Sequence, residues 1–155
     1  MSYSFIEISR ENLSTEDENR FISLSDRWIK DAPSWGGDEI VKCLQDKAYK
    51  LFFCRNTKSL ELCGFALFRL GGDDSELLYM NVLSDFRRQG LGKNLLDFSA
   101  KTLKNMGINK IFLEVRPSNN AGRTLYESVG FIKVHTRKIY YKDGEDASIY
   151  EKTLA

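Results

Sequence analysis

The stretch of this 155-residue chain best equipped for chemistry is Arg87-Arg88-Gln89-Gly90-Leu91-Gly92-Lys93, between a strand pattern and a long helical pattern. Glycines remove Cβ atoms there, so successive backbone N–H groups can face an anion, and the positive end of the following helix adds to the attraction. Arg87, Arg88 and Lys93 strengthen the case for a phosphate-bearing ligand. The spacing excludes a P-loop, because Arg87 stands where the first glycine belongs and Asn94 where the Mg²⁺-binding hydroxyl belongs. A dinucleotide fingerprint fails at its third glycine, where Leu95 stands, although Glu114 lies at the distance of a ribose contact. A plain helix cap is a further reading of so short a motif.

Glu114 is the second candidate. In Lys110 to Val115, Ile111, Leu113 and Val115 share one face and Phe112 and Glu114 the other, so a carboxylate projects from an apolar strand near its C-terminal end. Open α/β sheets bind ligands there. The plainer alternative is a strand-end glutamate paired with a surface cation. His135 is the only histidine, which removes multi-His metal sites and leaves a Ser-His-Asp hydrolase a single candidate base. Cys43, Cys54 and Cys63 are odd in number and lack Cys-x-x-Cys spacing, so neither a disulfide frame nor a zinc knuckle is supported and no metal is expected. They read as small core residues in a reducing compartment.

The elements that must position these groups follow from hydrophobic period. Tyr3 to Ile8 alternates as a strand. Ser14, Thr15 and Glu18 resemble a capping box ahead of an amphipathic helix through Ile29; Asp31 to Gly37 breaks it, and a short helix, Asp38 to Asp46, follows. Tyr49–Asn56 and Glu61–Leu70 read as a hairpin, Gly71 to Asp74 as a turn and Glu76–Leu83 as a third strand. Gly90–Asn105 is a long helix with Leu91, Leu95, Phe98, Thr102 and Met106 on one face, ended by Gly107. Lys110–Val115 is a strand, Asn119–Val129 a helix, Phe131–Tyr141 a strand and Ala147–Thr153 the last strand. An antiparallel meander followed by strand, helix, strand, helix and strand implies a mixed α/β fold with a partly parallel sheet.

Composition bounds the class. Apolar residues make up 42% and charged residues 29%, enough for a core and a solvated coat, so residues 1–155 are expected to form one domain. No apolar run is long enough to span a bilayer and the start lacks a signal-peptide pattern, so a cytoplasmic protein without membrane partners is expected. Net charge is +1, but residues 1–83 carry 10 basic and 14 acidic side chains while residues 84–155 carry 13 and 8. No aromatic RNA motif accompanies the basic half, which argues against a nucleic-acid partner.

Arg87-x-x-Gly90-x-Gly92 resembles the pyrophosphate-binding signature of the GNAT N-acetyltransferase superfamily. Leu113-Glu114-Val115-Arg116-Pro117-Ser118-Asn119-Asn120-Ala121, followed by Leu125-Tyr126-Glu127-Ser128-Val129-Gly130-Phe131, resembles its RimI-type branch, which acetylates the N-terminal amine of a ribosomal protein. Tyr140-Tyr141 and Gly144-Glu145-Asp146-Ala147 extend the similarity, which runs from about Glu76 to Ile149. Ala32-Pro33-Ser34-Trp35 is similar to an element after the first helix of that branch, but Gly36-Gly37 departs from it. Asn81 departs too, standing where a small apolar residue is common.

The resemblance implies a three-layer fold: a central mixed sheet with antiparallel N-terminal strands and a parallel pair, and helices on both faces. It also implies acetyl-CoA as cosubstrate and an amine acceptor, foremost a protein or peptide N-terminus. Glu114 would be the base and Tyr126 the acid that protonates the leaving thiolate. Met80, Asn81, Val82 and Asn119 would contact the pantetheine arm, and Arg87, Arg88, Gln89, Gly90, Leu91, Gly92 and Lys93 the pyrophosphate. Tyr79, Tyr140 and Tyr141 could line the acceptor groove. With no cysteine or serine in a nucleophile motif, direct transfer in a ternary complex is expected, from a monomer or weak dimer. A lysine or small-molecule amine acceptor, or a non-catalytic CoA-binding module, are the alternatives.

Overall fold

The alternating segments assemble into one sheet. The computed structural model describes residues 2–29 and 35–154. Its strands are β1 (Tyr3–Ile8), β2 (Tyr49–Asn56), β3 (Leu62–Gly71), β4 (Asp74–Val82), β5 (Lys110–Val115), β6 (Ile132–Arg137) and β7 (Ala147–Thr153), in the order β1-β2-β3-β4-β5-β7-β6. Among the described residues only β4 and β5 pair in parallel. The helices are α1 (Thr15–Ile29), α2 (Gly37–Cys43), α3 (Leu91–Asn105) and α4 (Asn120–Ser128). The mixed α/β class and the parallel pair agree with the sequence reading.

Successive side chains of a strand point to opposite faces, and β2 shows which helices cover which. Phe53 and its register partner Phe65 both lie 5.1 Å from the Phe21 ring of α1, and Trp28 lies 4.7 Å from Phe65. Phe52, one residue away, meets Phe98 of α3 at 6.1 Å. Helices α1 and α2 therefore cover one face, α3 and α4 the other. Phe21, Trp28, Phe52, Phe53, Phe65 and Phe68 are each at most 1% exposed. At about 1.5–3 kcal/mol per buried side chain of this size, the aromatic layers carry much of the fold's hydrophobic stabilisation. Gly37 lets α2 start against α1, since a Cβ there would sit 2.7 Å from Ile22 Cα.

Several boundaries differ from the sequence expectation, each for a local reason. Ser14 caps α1 by accepting the Asp17 N–H at 3.1 Å. The third helical residue is thus Asp17, which pairs with Arg55 at 3.0 Å, while Glu18 pairs with Arg10 at 3.3 Å instead of closing a capping box. Helix α2 stops at Cys43, three residues early. Gly90 precedes α3 as a left-handed cap (φ 76°), and Met106, beyond the helix, is 40% exposed rather than on its buried face. Strand β6 ends at Arg137 rather than Tyr141, because Ile139 turns left-handed (φ 49°) and donates its N–H to Asp146 at 2.9 Å. Residues 31–34, including Ala32, Pro33 and Ser34, lie outside the described residues.

The sheet opens at its centre. Leu67 pairs with Tyr79 but Phe68 with Leu77, so Leu78 is an extra, bulged residue of β4. Pairing with β5 runs only from Asp74 opposite Lys110 to Leu77 opposite Leu113, although β4 continues to Val82 and β5 to Val115. Beyond Leu77 the two strands part, and among the described residues the β5-facing edge of Leu78 to Val82 has no strand partner.

Candidate active site

The phosphate-type loop follows this parted end of β4 through a single 3-10 turn, Ser84–Phe86. Arg88 and Gly90 both adopt left-handed backbone (φ 61° and 76°). Alternating handedness of this kind aims neighbouring N–H groups at one point and forms an anion nest. Among the described residues no side chain caps the N-terminus of α3, which leaves its first N–H groups to a ligand. Arg88, Gln89, Gly90 and Lys93 are exposed, whereas Leu91 is buried and offers the loop only its backbone. Arg87 folds back, its Nε donating to the Val82 carbonyl at 2.7 Å, and Tyr3 donates to Gln89 Oε1 at 2.6 Å. Gly92 lets α3 approach α4, where a Cβ would touch Leu125 at 3.2 Å.

Glu114 opens onto the α1 side of the sheet, because its neighbour Leu113 faces the other way with Tyr150, whose hydroxyl donates to Glu127 of α4 at 2.9 Å. It sits in a cavity of about 600 Å³ lined by Arg69, Asp74, Glu76, Phe112, Arg137 and Tyr140 among others. Arg137 Nη1 donates to Glu114 Oε1 at 3.0 Å, and the carboxylate keeps 22% of its surface exposed. The neighbouring Glu114 raises the Tyr140 phenol above its ordinary value.

Glu76, opposite Arg69 in register and beside Glu114 in the cavity, was not singled out from sequence. Strict alternation puts it with Met80 and Val82. The Leu78 bulge turns it instead to the face of Tyr79 and Asn81. Burial first, and the negative Glu114 second, push its carboxyl above the usual glutamate value, against Arg137 and Arg69.

Tyr126 lies on α4, its ring 5.9 Å from Phe131 in an edge-on contact. Burial, then the neighbouring Tyr141, push its phenol up to about 12. Tyr141 is raised by burial and by Glu114. Arg116 stacks 3.9 Å above the Tyr141 ring and binds Asp143 at 2.8 Å and Glu145 at 3.0 Å. Glu145 also accepts from the Ser118 N–H and hydroxyl, both at 3.0 Å, and these bonds hold its carboxyl below the usual range. This network fixes the β6–β7 connection to the start of α4. Asn119 caps that helix, accepting the Gly122 N–H at 2.9 Å.

On the parted strand, Met80, Asn81 and Val82 are half-buried. Among the described residues, Asn81 Oδ1 is the one buried side-chain polar atom without a hydrogen-bond partner. Cys54 and Cys63 are buried, and burial drives the Cys54 thiol up to about 12, unsuited to a nucleophile.

A sheet parted at β4 and β5, an anion nest leading into the next helix and a carboxylate in the cavity define the GNAT class of acetyltransferase fold. Residues 12–131 match the Acetyltransferase (GNAT) family, and the chain belongs to it. It is 37% identical over 95 residues to the ribosomal protein bS18-alanine N-acetyltransferase of Escherichia coli, a match covering 60% of this chain and 64% of that one. It is 45% identical over 74 residues to an N-alpha-acetyltransferase of Saccharolobus solfataricus, covering 47% of this chain and 44% of the relative. The matches thus span less than two thirds of either relative. The crystal structure of the Escherichia coli ribosomal-protein alanine N-acetyltransferase superposes with a TM-score of 0.81 at 29% identity, covering 99% of this chain and 95% of that one. No helix among the described residues is long and apolar enough to cross a membrane.

Proposed function

We propose that the chain, acting as one catalytic domain over residues 1–155, transfers acetyl from acetyl-CoA to the N-terminal α-amine of a peptide or protein. The observation that carries this reading is Glu114 in the cavity beside the place where β4 and β5 part. The two relatives named for alanine N-acetylation and N-alpha-acetylation support the acceptor class.

The chain's own residues fit a CoA-type ligand. The Arg88–Gly90 nest, the uncapped start of α3 and Lys93 suit a pyrophosphate. The free edge of Met80–Val82 and the unpartnered Asn81 Oδ1 suit amide groups of a pantetheine arm. Asn119, already an N-cap through its side chain, retains its amide nitrogen for a further contact. Bound acetyl-CoA supplies an activated thioester. Glu114 removes a proton from the acceptor amine, which at an α-amine value of about 7.7–8.0 is far easier than from lysine at about 10.4. Tyr126, held protonated by burial, gives a proton to the departing thiolate.

The test is to mix pure protein with acetyl-CoA and follow thiol release with an alanine-initiated peptide, an N-terminally blocked lysine peptide and a polyamine. Preference for the lysine peptide would overturn the acceptor assignment. Two further outcomes are expected. Tyr126→Phe should lower kcat about 10²-fold with little change in acceptor KM, since its proton is needed at thiolate departure. Gly90→Ala forces a side chain into left-handed backbone at a cost of about 1–2 kcal/mol. It should weaken acetyl-CoA binding in calorimetric titration about tenfold, and unchanged affinity would remove the loop from the phosphate site.

A further inference from the structure

A carboxylate base works only when one of its oxygens is held toward the proton it must take, and a glutamate has several rotatable bonds between backbone and oxygen. Glu114 projects from β5 into an open cavity of about 600 Å³ with 22% of its side chain exposed. Packing leaves such a side chain rotamer freedom, which must be removed in some other way.

Arg137 removes it. Its Nη1 donates to Glu114 Oε1 at 3.0 Å, a charge-assisted bond that ties down one carboxylate oxygen. The contact spans a strand: Glu114 is in register with Ile149 of β7, and Ile149 with His135 of β6, two residues before Arg137. Arg137 is the last residue of β6 and is held in turn. Just beyond it the left-handed Ile139 donates its N–H to Asp146 at 2.9 Å, and Lys138 pairs with the same carboxylate at 3.2 Å. The guanidinium lies 5.5 Å from the Tyr140 ring, which meets Tyr141 edge-on at 5.1 Å. The turn after β6 thus fixes a cation, and the cation fixes the carboxylate on β5.

Resting on the acyl-transfer reading above, we infer that Arg137 is a positioning residue for that reaction, acting through Glu114 by holding Oε1 so that the second oxygen meets the acceptor amine. Two opposed effects decide the sign of its contribution. A guanidinium stabilises the charged form of a neighbouring carboxylate and so weakens it as a base. Positioning works the other way, because a displacement of about 1 Å costs about 10²-fold in rate. Arg137 is 54% exposed, so solvent screens the first effect, and the second prevails.

The experiment compares wild type, Arg137→Met, Arg137→Lys, Glu114→Gln and the double variant, using acetyl-CoA and an alanine-initiated peptide, with thermal melts and alkaline phenol titrations of each. Arg137→Met should lose about 30-fold in kcat, with acceptor KM and acetyl-CoA Kd within about threefold of wild type. Arg137→Lys, which still offers a charged donor, should recover to within about fivefold. The double variant should be no slower than Glu114→Gln, because without the base nothing is left to position. Melting temperatures should stay within about 3 °C, as expected of an exposed pair. Glu114 raises the Tyr140 phenol and Arg137 opposes it, so Tyr140 should titrate higher in Arg137→Met and lower in Glu114→Gln. An unchanged or faster Arg137→Met overturns the proposal, as does an additive loss in the double variant, which would make Arg137 act on some other group. Wild type inactive on every N-terminal amine would overturn the acyl-transfer reading instead. An unmoved Tyr140 in Arg137→Met overturns the hold on Glu114 whether or not the protein turns over.

Discussion

Glu114→Gln should lower kcat/KM for an N-terminal peptide by about 10²–10⁴-fold, the span of a lost general base, while the Kd of acetyl-CoA stays within a factor of two of wild type. The substitution keeps the side chain's shape and removes only its charge and proton-accepting capacity. It also weakens the 3.0 Å contact with Arg137. That pair lies at the cavity rim, with Arg137 54% exposed, and rim pairs contribute about 0–1 kcal/mol. The melting temperature should therefore move by at most about 3 °C, so a large loss of rate cannot be charged to unfolding. The Tyr140 hydroxyl loses the charge that raises it and should titrate lower in the variant, observable by difference absorbance at alkaline pH. Turnover within fivefold of wild type would remove Glu114 from the base role.

What the sequence displayed, and what it hid, divides along local and non-local lines. Lys110–Val115 was legible to the residue because alternation of side chains is a property of the strand itself, and Tyr49–Asn56 because a run of aromatic and aliphatic residues ends there at a polar turn. So was the loop before α3, where glycine spacing and flanking cations lie contiguous in the chain. The parting of β4 from β5 was not legible, since it depends on which residue of β4 bulges against β3, a matter of register between two strands. Glu76 was missed for the same reason. The end of β6 was misread because the bonds that turn the chain at Ile139 come from Asp146, seven residues on, and Tyr140 thereby becomes a cavity residue instead of a strand residue. The division of charge between the two halves also proves coarser than the site. The cavity takes Asp74 and Glu76 from the acidic half and Glu114 from the basic half, with Arg69 and Arg137 contributed one from each.

Trp28→Ala should lower the melting temperature by about 10 °C or more. Trp28 is fully buried, 5.1 Å from the Phe21 ring and 4.7 Å from Phe65, and Phe65 in turn stacks on Tyr79 at 5.6 Å and 11°. Removing an indole from such a site costs about 3–5 kcal/mol through lost burial and the cavity left behind, against a total of about 5–15 kcal/mol for a typical domain. Trp28→Phe separates packing from hydrogen bonding. It keeps most of the ring contact but loses the Nε1 donor that reaches the Trp35 carbonyl, just ahead of α2, at 3.2 Å. A lost hydrogen bond of this kind is worth about 0.5–1.5 kcal/mol, so this variant should melt only a few degrees below wild type. Its kinetic effect should fall on the acceptor side. Tyr79 sits on the face of β4 that Glu76 and Asn81 share, so a shift in the Phe65–Tyr79 stack reaches the acceptor cavity but not the loop at Gly90. Acceptor KM is expected to rise about fivefold with the acetyl-CoA Kd unchanged, since uniform binding of the acceptor is what is lost. An equal loss of affinity for both substrates would show that Trp28 supports the whole sheet and not the acceptor side of it.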